Sequence, residues 1–452
     1  MKKEHPSQLP GASSRRDFLR AAGATAAAAT LPARAFAEAR RKVRYAIVGA
    51  GHRGSGMWGA EALRRHGRTL ELVGLCDLNP RRAEAANALM GTRAPVFTDL
   101  DRMLDAVEVD RIAVCTVDST HSAIITRALE RGVDVVTEKP MVTELDQCRA
   151  IVEAERTYRR RVAMAFNYRY SPKLEKIWSL LRTSDLGKVT SVDFSWYLDV
   201  FHGADYFRRW HRLRSQGGSL WLHKATHHFD LMNWWLGADP VEVQAVSSLR
   251  RYGRNGAFRH SHCRTCPHKT SCEFYFDMTT SPRLMALYAS AEGIDGYHRD
   301  GCVFREDCDI YDTMSAVIRY STGTVMTYSL NAFMPVEGFR VAFNCERGRI
   351  EARDYERQAW EVPYETEILV ARSFAKEVQR VTLQKLEGGH SGGDPRLLDA
   401  VFGDAPVAEH LRVPDSRAGA MSCLTGIAAR TSSETGRSVK IADLLPLAGL
   451  PA

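Results

Sequence analysis

The feature that most constrains this chain is a short apolar run, Val43 to Val48 (VRYAIV), that ends directly in Gly49-Ala50-Gly51-His52-Arg53-Gly54. The G-x-G-x-x-G spacing suits a tight turn from a strand into a helix. It leaves backbone N–H groups open to a pyrophosphate where a Cβ would intrude. The pattern alone is weak evidence, and its setting strengthens it. A helix-like stretch from Ser55 to His66 follows, then a second strand, LELVGLCD, that ends in Asp77, 23 residues after Gly54. A carboxylate at about that distance hydrogen-bonds the ribose hydroxyls of a dinucleotide and repels a 2′-phosphate. NAD is therefore expected before NADP, with Arg81 and Arg82 speaking for the second.

Strand and helix signals continue to alternate: RIAVCTV, a helix from His121 to Arg131, VDVVTEKP, a helix from Glu144 to Tyr158, then VAMAFNY. Alternation of this kind builds βαβ units and a parallel sheet. A chain of 452 residues has length for two cores. A dinucleotide-binding domain is placed at residues 38–168 and a second domain at 169–452, with a Cys-rich insertion around 250–310.

Ahead of the first strand the chain reads as an address. Ser14-Arg15-Arg16-Asp17-Phe18-Leu19-Arg20 has the twin-arginine pattern, an alanine-rich run extends to Leu31, and Ala35-Phe36-Ala37 offers the small residues a signal peptidase needs. Residues 1–37 are expected to be removed on export to the periplasm or beyond. The run is too short and too alanine-rich for a stable membrane span, which takes about 20 strongly apolar residues. Without those residues the formal charge of +8 falls to +4. So small and dispersed an excess excludes a nucleic-acid partner, which would need a localised basic face. The basic run Arg156 to Arg161 is expected on a solvated helix end.

A second stretch carries the chemistry. Leu220 to Asp230, LWLHKATHHFD, reads as part of a mostly buried helix, with His223 and His227 on one face and Lys224 and His228 on the adjacent one. Histidines four apart can bind zinc, although the segment has no H-E-x-x-H and no Glu. Proton transfer, metal binding and plain helix packing are all open to these residue types. Taking hydride from a carbinol carbon requires removal of the hydroxyl proton, and a histidine titrating near neutrality is the usual group.

Taken together and in order, Gly49 to Gly54, Glu138-Lys139-Pro140 and the helix with His227 and Asp230 resemble the glucose-fructose oxidoreductase, inositol dehydrogenase and rhizopine-catabolism family (Gfo/Idh/MocA). The resemblance covers nearly the whole mature chain, including the ending GIAARTSSETGRSV. It implies a Rossmann domain followed by a C-terminal α/β domain on an open, largely antiparallel sheet, NAD(P)-dependent chemistry at a hydroxyl of a sugar or cyclitol, and a homodimer or homotetramer. It also implies that Lys139 lies beside the nicotinamide, that His227 is the acid/base, and that Asp230 orients or anchors. Many members carry Asp four residues before that histidine, where this chain has His223, so either His223 or His227 is left to take the proton. The expected cofactor contacts are Gly49, Gly51, His52, Arg53, Gly54, Asp77, Glu138 and Lys139. The expected substrate contacts are Tyr168, Arg169, Lys224, His228 and Asp230, with His390 in the glycine-rich EGGHSGGDPRL a further candidate.

An exported compartment supplies no free nucleotide pool, so a tightly held cofactor is expected. A net oxidoreductase acting on a carbohydrate is the leading reading. The alternatives are an NAD-dependent glycoside hydrolase that oxidises C3 transiently and eliminates the aglycone, and a non-catalytic sugar-binding protein on the same scaffold.

Of ten cysteines, Cys263, Cys266, Cys272, Cys302 and Cys308 fall within 46 residues. Cys263-x-x-Cys266 is the bite that places two thiolates on one tetrahedral metal, and Cys272 follows at short range. A closed structural zinc site with Cys302 as the fourth ligand is expected, with disulfides or an iron–sulfur centre as alternatives. Cys76, Cys115, Cys148, Cys345 and Cys423 read as isolated free thiols in apolar contexts.

Overall fold

The computed structural model describes residues 41–384 and 387–450, so the signal segment lies outside the described residues. Six strands, β1 (Val43–Val48), β2 (Leu70–Cys76), β3 (Val96–Phe97), β4 (Arg111–Val114), β5 (Asp134–Thr137) and β6 (Val162–Met164), form a parallel sheet in the order β3-β2-β1-β4-β5-β6. The short apolar runs are buried on both faces: Tyr45 to Val48, Ile112 to Val114 and Val135 to Val136 all belong to the core, as strands of a sheet covered on both sides must. Strand order reverses between β1 and β4. In doubly wound folds the crevice at the carboxyl ends of those strands is where ligands bind. The glycine loop leaves β1 there, and Asp118, Asp77 and Glu138-Lys139 follow the ends of β4, β2 and β5.

A second sheet of nine strands contains β7 (Val189–Asp199), β8 (Pro240–Ser248), β9 (Thr313–Tyr320), β10 (Val325–Met334), β11 (Val336–Cys345), β12 (Gly348–Gln358), β13 (Thr366–Arg372), β14 (Val378–Leu383) and β15 (Val439–Lys440). Their order is β14-β13-β12-β11-β7-β10-β9-β8-β15, and only the β7–β10 pairing is parallel. Exposed and buried residues alternate along β9, TMSAVIRY, so one face packs on the core and the other meets solvent. The helix Ser416–Thr435 packs along β8 and against the helix Ala225–Leu236. Its approach is close enough that a Cβ on Gly426 would fall 2.5 Å from the carbonyl oxygen of Trp221. That contact fixes the histidine-bearing segment from behind. Residues Arg156 to Arg161 are all exposed, around a helix that ends at Tyr158.

One charge lies deep between the helix Pro172–Thr183 and the second sheet. The Lys173 amine lies 2.7 Å from carboxylate oxygens of both Asp354 and Glu356, and 3.5 Å from Glu365. Asp354 is fully buried. Removing one partner of such a group leaves charge without compensation, at a cost of about 3–5 kcal/mol. Lys173→Met is therefore expected to lower stability by about that much, read as an earlier midpoint in urea denaturation, and a change near zero would contradict the buried network.

Candidate active site

The glycine loop is shaped by close backbone approach. Gly49 has φ +96°, and a Cβ on it would lie 2.6 Å from the carbonyl of Cys115 at the end of β4; one on Gly54 would lie 2.0 Å from the Gly49 oxygen. The chain then winds into π-type turns, Gly54–Glu61, and an α-helix, Ala62–His66. Asp77 closes the loop on the other side. Its carboxylate accepts the Ala50 N–H at 2.8 Å, the Asn79 N–H at 2.9 Å and Arg82 at 3.1 Å. Arg82 is also bound to Asp295, so this arginine is already paired with two carboxylates. Glycines that a Cβ would jam and a carboxylate beyond the second strand together fit a dinucleotide with free ribose hydroxyls.

Arg53 and Glu138 point elsewhere than their expected role. The Arg53 Nε donates to Glu138 at 2.6 Å and its two Nη atoms donate to Asp394 at 2.8 and 3.0 Å. Glu138 also accepts Trp58 Nε1 at 2.8 Å, and Asp394 accepts Asn167 Nδ2 at 2.6 Å. These groups brace the crevice, and their charges are spent on one another.

Lys139 occupies the centre. Its Nζ donates to the His223 carbonyl at 2.9 Å and lies 3.4 Å from His223 Nε2, while His223 Nδ1 is 2.5 Å from Asp118. Asp118 thus fixes the imidazole with its second nitrogen toward the lysine. Burial, with only partial compensation from Asp118 and Glu138, brings Lys139 down to about 8. Burial and the charge of Lys139 hold both His223 and His227 well below the ordinary histidine range. The expectation that a histidine titrates nearest neutrality is therefore reversed: the lysine does, because desolvation and a neighbouring cation both disfavour imidazolium.

His223 and His227 do not form a stacked helical pair. The segment expected to be one helix is broken at Lys224, which separates Leu220–His223 from Ala225–Leu236. A turn with φ +68° at Gly218 and +86° at Ser219 sets up the first piece. His223 consequently faces Asp118, whereas the His227 ring stacks on Tyr168 with centroids 4.5 Å apart. Buried His227 Nδ1 has no hydrogen-bond partner among the described residues. Lys224 donates to the Tyr168 hydroxyl at 3.0 Å and lies 5.0 Å from the centre of Trp196. His390 reaches this group: its ring is 5.5 Å from Tyr168 and 6.1 Å from His227, and its Nδ1 is 3.1 Å from Asp394.

Other expected contacts are drawn away. His228 is fully buried, stacked on Trp196 at 4.1 Å with Nδ1 2.7 Å from the Tyr328 hydroxyl. It belongs to the core behind the site, a correction to its expected place among substrate contacts. Arg169 and Asp230 form a two-point ion pair at 2.8 and 2.5 Å. They line an open groove of about 870 Å³ with Asn233, Trp234 and Asp415, and none of Lys139, His223 and His227 is on its walls.

The comparisons with known proteins decide the family. Residues 43–166 match the model for the NAD-binding Rossmann fold of an oxidoreductase family, and residues 179–441 match the C-terminal alpha/beta domain of that family. The chain belongs to the Gfo/Idh/MocA oxidoreductase family. Residues 13–32 match a twin-arginine translocation signal sequence, which supports export by that route. YteT of Bacillus subtilis (strain 168) is 35% identical over 386 residues, covering 80% of this chain and 90% of its own length. Inositol 2-dehydrogenase of Rhizobium meliloti (strain 1021) is 25% identical over 46% of this chain and 59% of that protein. In fold, the chain is similar to the WlbA dehydrogenase from Bordetella pertussis in complex with NADH and UDP-GlcNAcA, with TM-score 0.62, 18% identity and coverage of 88% and 99%. It is likewise similar to levoglucosan dehydrogenase in complex with NADH and levoglucosan, with TM-score 0.65, 17% identity and coverage of 89% and 100%.

Within this Gfo/Idh/MocA chain, Asp118 is the residue that sequence reasoning missed. Its signal was positional: it lies four residues beyond the last residue of β4, at the carboxyl edge where such sheets bind ligands. Asp394 was also missed, beside a histidine that had been noticed. The four cysteines expected at a metal, Cys263, Cys266, Cys272 and Cys302, line one small enclosed cavity, whereas Cys308 packs under Gly253. All ten cysteines are free thiols, with Cys76, Cys148 and Cys423 buried and Cys115 and Cys345 partly so.

Because the Asp118 charge raises Lys139 and burial lowers it, Asp118→Asn is expected to move the lysine titration from about 8 to lower pH. Nuclear magnetic resonance of ¹⁵N-labelled lysine side chains reads this directly. An unchanged or raised midpoint would show that Asp118 does not act on Lys139.

Proposed function

We propose that this protein oxidises or reduces a hydroxyl-bearing carbon of a sugar, glycoside or cyclitol with a tightly held NAD, in the periplasm. The observation that carries the reading is the Asp118–His223–Lys139 chain at the mouth of the glycine loop. Asp77 supports NAD over NADP, because a 2′-phosphate would meet its carboxylate while Arg82 is held by Asp77 and Asp295. Gly49, Gly51, His52, Gly54 and Asp77 would hold the dinucleotide, which supplies hydride transfer when bound. The printed ligands of WlbA and levoglucosan dehydrogenase, a nucleotide sugar and an anhydrosugar, suggest the substrate class.

The residues of the chain manage the proton. A neutral Lys139 amine takes the hydroxyl proton as the alcohol is oxidised, and Lys139 ammonium gives it back in reduction. His223 holds the amine by its carbonyl and offers Nε2 for relay, with Asp118 fixing the tautomer. His227, with its unpartnered Nδ1 over Tyr168, is placed to bind a substrate hydroxyl. Lys139 loses its proton as pH rises through about 8, so oxidation should accelerate and reduction slow across that range. We extend the proposal to a homo-oligomer joined through the solvent-facing side of the second sheet.

The experiment is to denature freshly purified, undialysed mature protein and identify the released nucleotide, then to assay Lys139→Met. About one equivalent of NAD(H) is expected, and the variant should retain it while losing roughly 10²–10⁴-fold in kcat. Release of an aglycone from glycosides with no net change in nucleotide redox state would replace net oxidation with a borrowed hydride. An empty protein, or Lys139→Met with full activity, would overturn the reading.

A further inference from the structure

We propose that Cys263, Cys266, Cys272 and Cys302 bind one zinc ion, and that this ion fastens residues 273–301 as a lid over the dinucleotide crevice. The metal half stands on the cysteines alone. The lid half rests on the dinucleotide reading above.

Backbone pairing brings the four cysteines around one cavity. His262 and Gly301 form an antiparallel bridge, the Cys263 N–H donates to the Asp300 carbonyl at 2.8 Å, and the Cys302 N–H donates to the Ser261 carbonyl at 3.1 Å. The first and last ligands are thereby set side by side. The Cys266 N–H closes a tight turn onto the Cys263 carbonyl at 3.0 Å, the usual conformation for a C-x-x-C bite. All four line a cavity of about 10 Å³, room for an ion and too small for an organic ligand. No carboxylate is on its walls.

Charge balance favours a metal–tetrathiolate over four neutral thiols. Zn²⁺ with four thiolates carries a net charge of about −2. Buried Arg208 faces that position, donating to Cys263 Sγ at 3.3 Å and to the Phe274 carbonyl. The Phe304 N–H donates to Cys302 Sγ at 3.4 Å. Among the described residues, the ligand atoms that already lie within 4.8 Å of one another are those of Glu292, His298 and Asp300, and not those of the cysteines, but Arg264 already binds Glu292 and Asp300. The cysteines are the better site.

The span between the third and fourth ligands, residues 273–301, lies against the glycine loop. The Tyr288 hydroxyl accepts the His52 N–H at 2.9 Å, which leaves its own proton to donate to an anion. Arg283 donates to Ser55 Oγ at 2.9 Å and to the His52 carbonyl at 3.2 Å. Asn79, two residues beyond Asp77, donates to the Ala291 carbonyl at 2.9 Å, and Arg82 binds Asp295. The helices in this span, Pro282–Leu287 and Glu292–Asp295, are far too short to persist alone. A cross-link at Cys272 and Cys302 closes the loop at its base and reduces the freedom of the open form.

The test uses the mature protein purified without chelator. Elemental analysis should find about one zinc and no iron per chain. Stripping zinc with a chelator should speed dissociation of bound NADH by about tenfold or more, and adding zinc back should restore retention. Cys272→Ser and Cys302→Ser should each lose the metal, and the stripped and refilled wild type covers the case in which either variant misfolds. Zinc below a tenth of an equivalent, or disulfides among these four cysteines by mass spectrometry, would overturn the metal site. Zinc present with unchanged NADH dissociation would overturn the lid. Zinc present with no nucleotide bound in any form would sink the lid together with the dinucleotide reading, while supporting the metal site.

Discussion

The site depends on one guanidinium. Arg53 leaves the glycine loop and binds Glu138, next to Lys139, and Asp394, in the first turn of the helix Gly393–Phe402, 341 residues further along the chain. Asp394 in turn holds Asn167, at the junction after β6, and His390. Three segments that share no strand are thus joined through a pair of carboxylates, each nearly buried. Buried carboxylates hold position only while charge-assisted hydrogen bonds satisfy them. Lys139, one residue beyond Glu138, is located by the same bonds.

Around that point the electrostatics are arranged by depth. Burial lowers every cationic site nearby, but Lys139 has Asp118 and Glu138 beside it, whereas the imidazoles face mainly cations. Lys139 is brought down to about 8, into the range where a proton is exchanged readily at ordinary pH. The stacked layer of Tyr168, Trp196 and His228 lies against the neighbouring Lys224, whose ammonium is 5.3 Å from the Tyr168 ring and 5.0 Å from Trp196.

Much of the fold was legible because its signals are local. VRYAIV ending in a glycine loop, Asp77 after the second strand and the β–α alternation each need only neighbouring residues, and the parallel sheet follows from them. Lys139 could be singled out for the same reason, as part of a short motif after a strand. The two-residue β3 and the helix Leu100–Ala106 were not read, being too short to show a period. Asp118 was missed because its partner is 105 residues away. His228 was misplaced because nothing in its own segment shows Trp196 and Tyr328, which the second sheet brings against it. Arg53 was read as a cofactor contact from its place in the loop, and only the distant Asp394 reveals where its side chain goes.

The break at Lys224 places two adjacent residues in different surroundings, His223 toward Asp118 and Lys224 toward Tyr168. Each helical residue turns the chain by about 100° and advances it about 1.5 Å. An insertion or deletion here would leave both helices well formed, yet it would swing the second one away from its partners. Side-chain exchange at either position alters one contact, whereas a change of length alters all of them. Divergence of this segment is thus channelled into substitutions at constant spacing, and its length is a stricter signature of the site than the identity of any one residue in it.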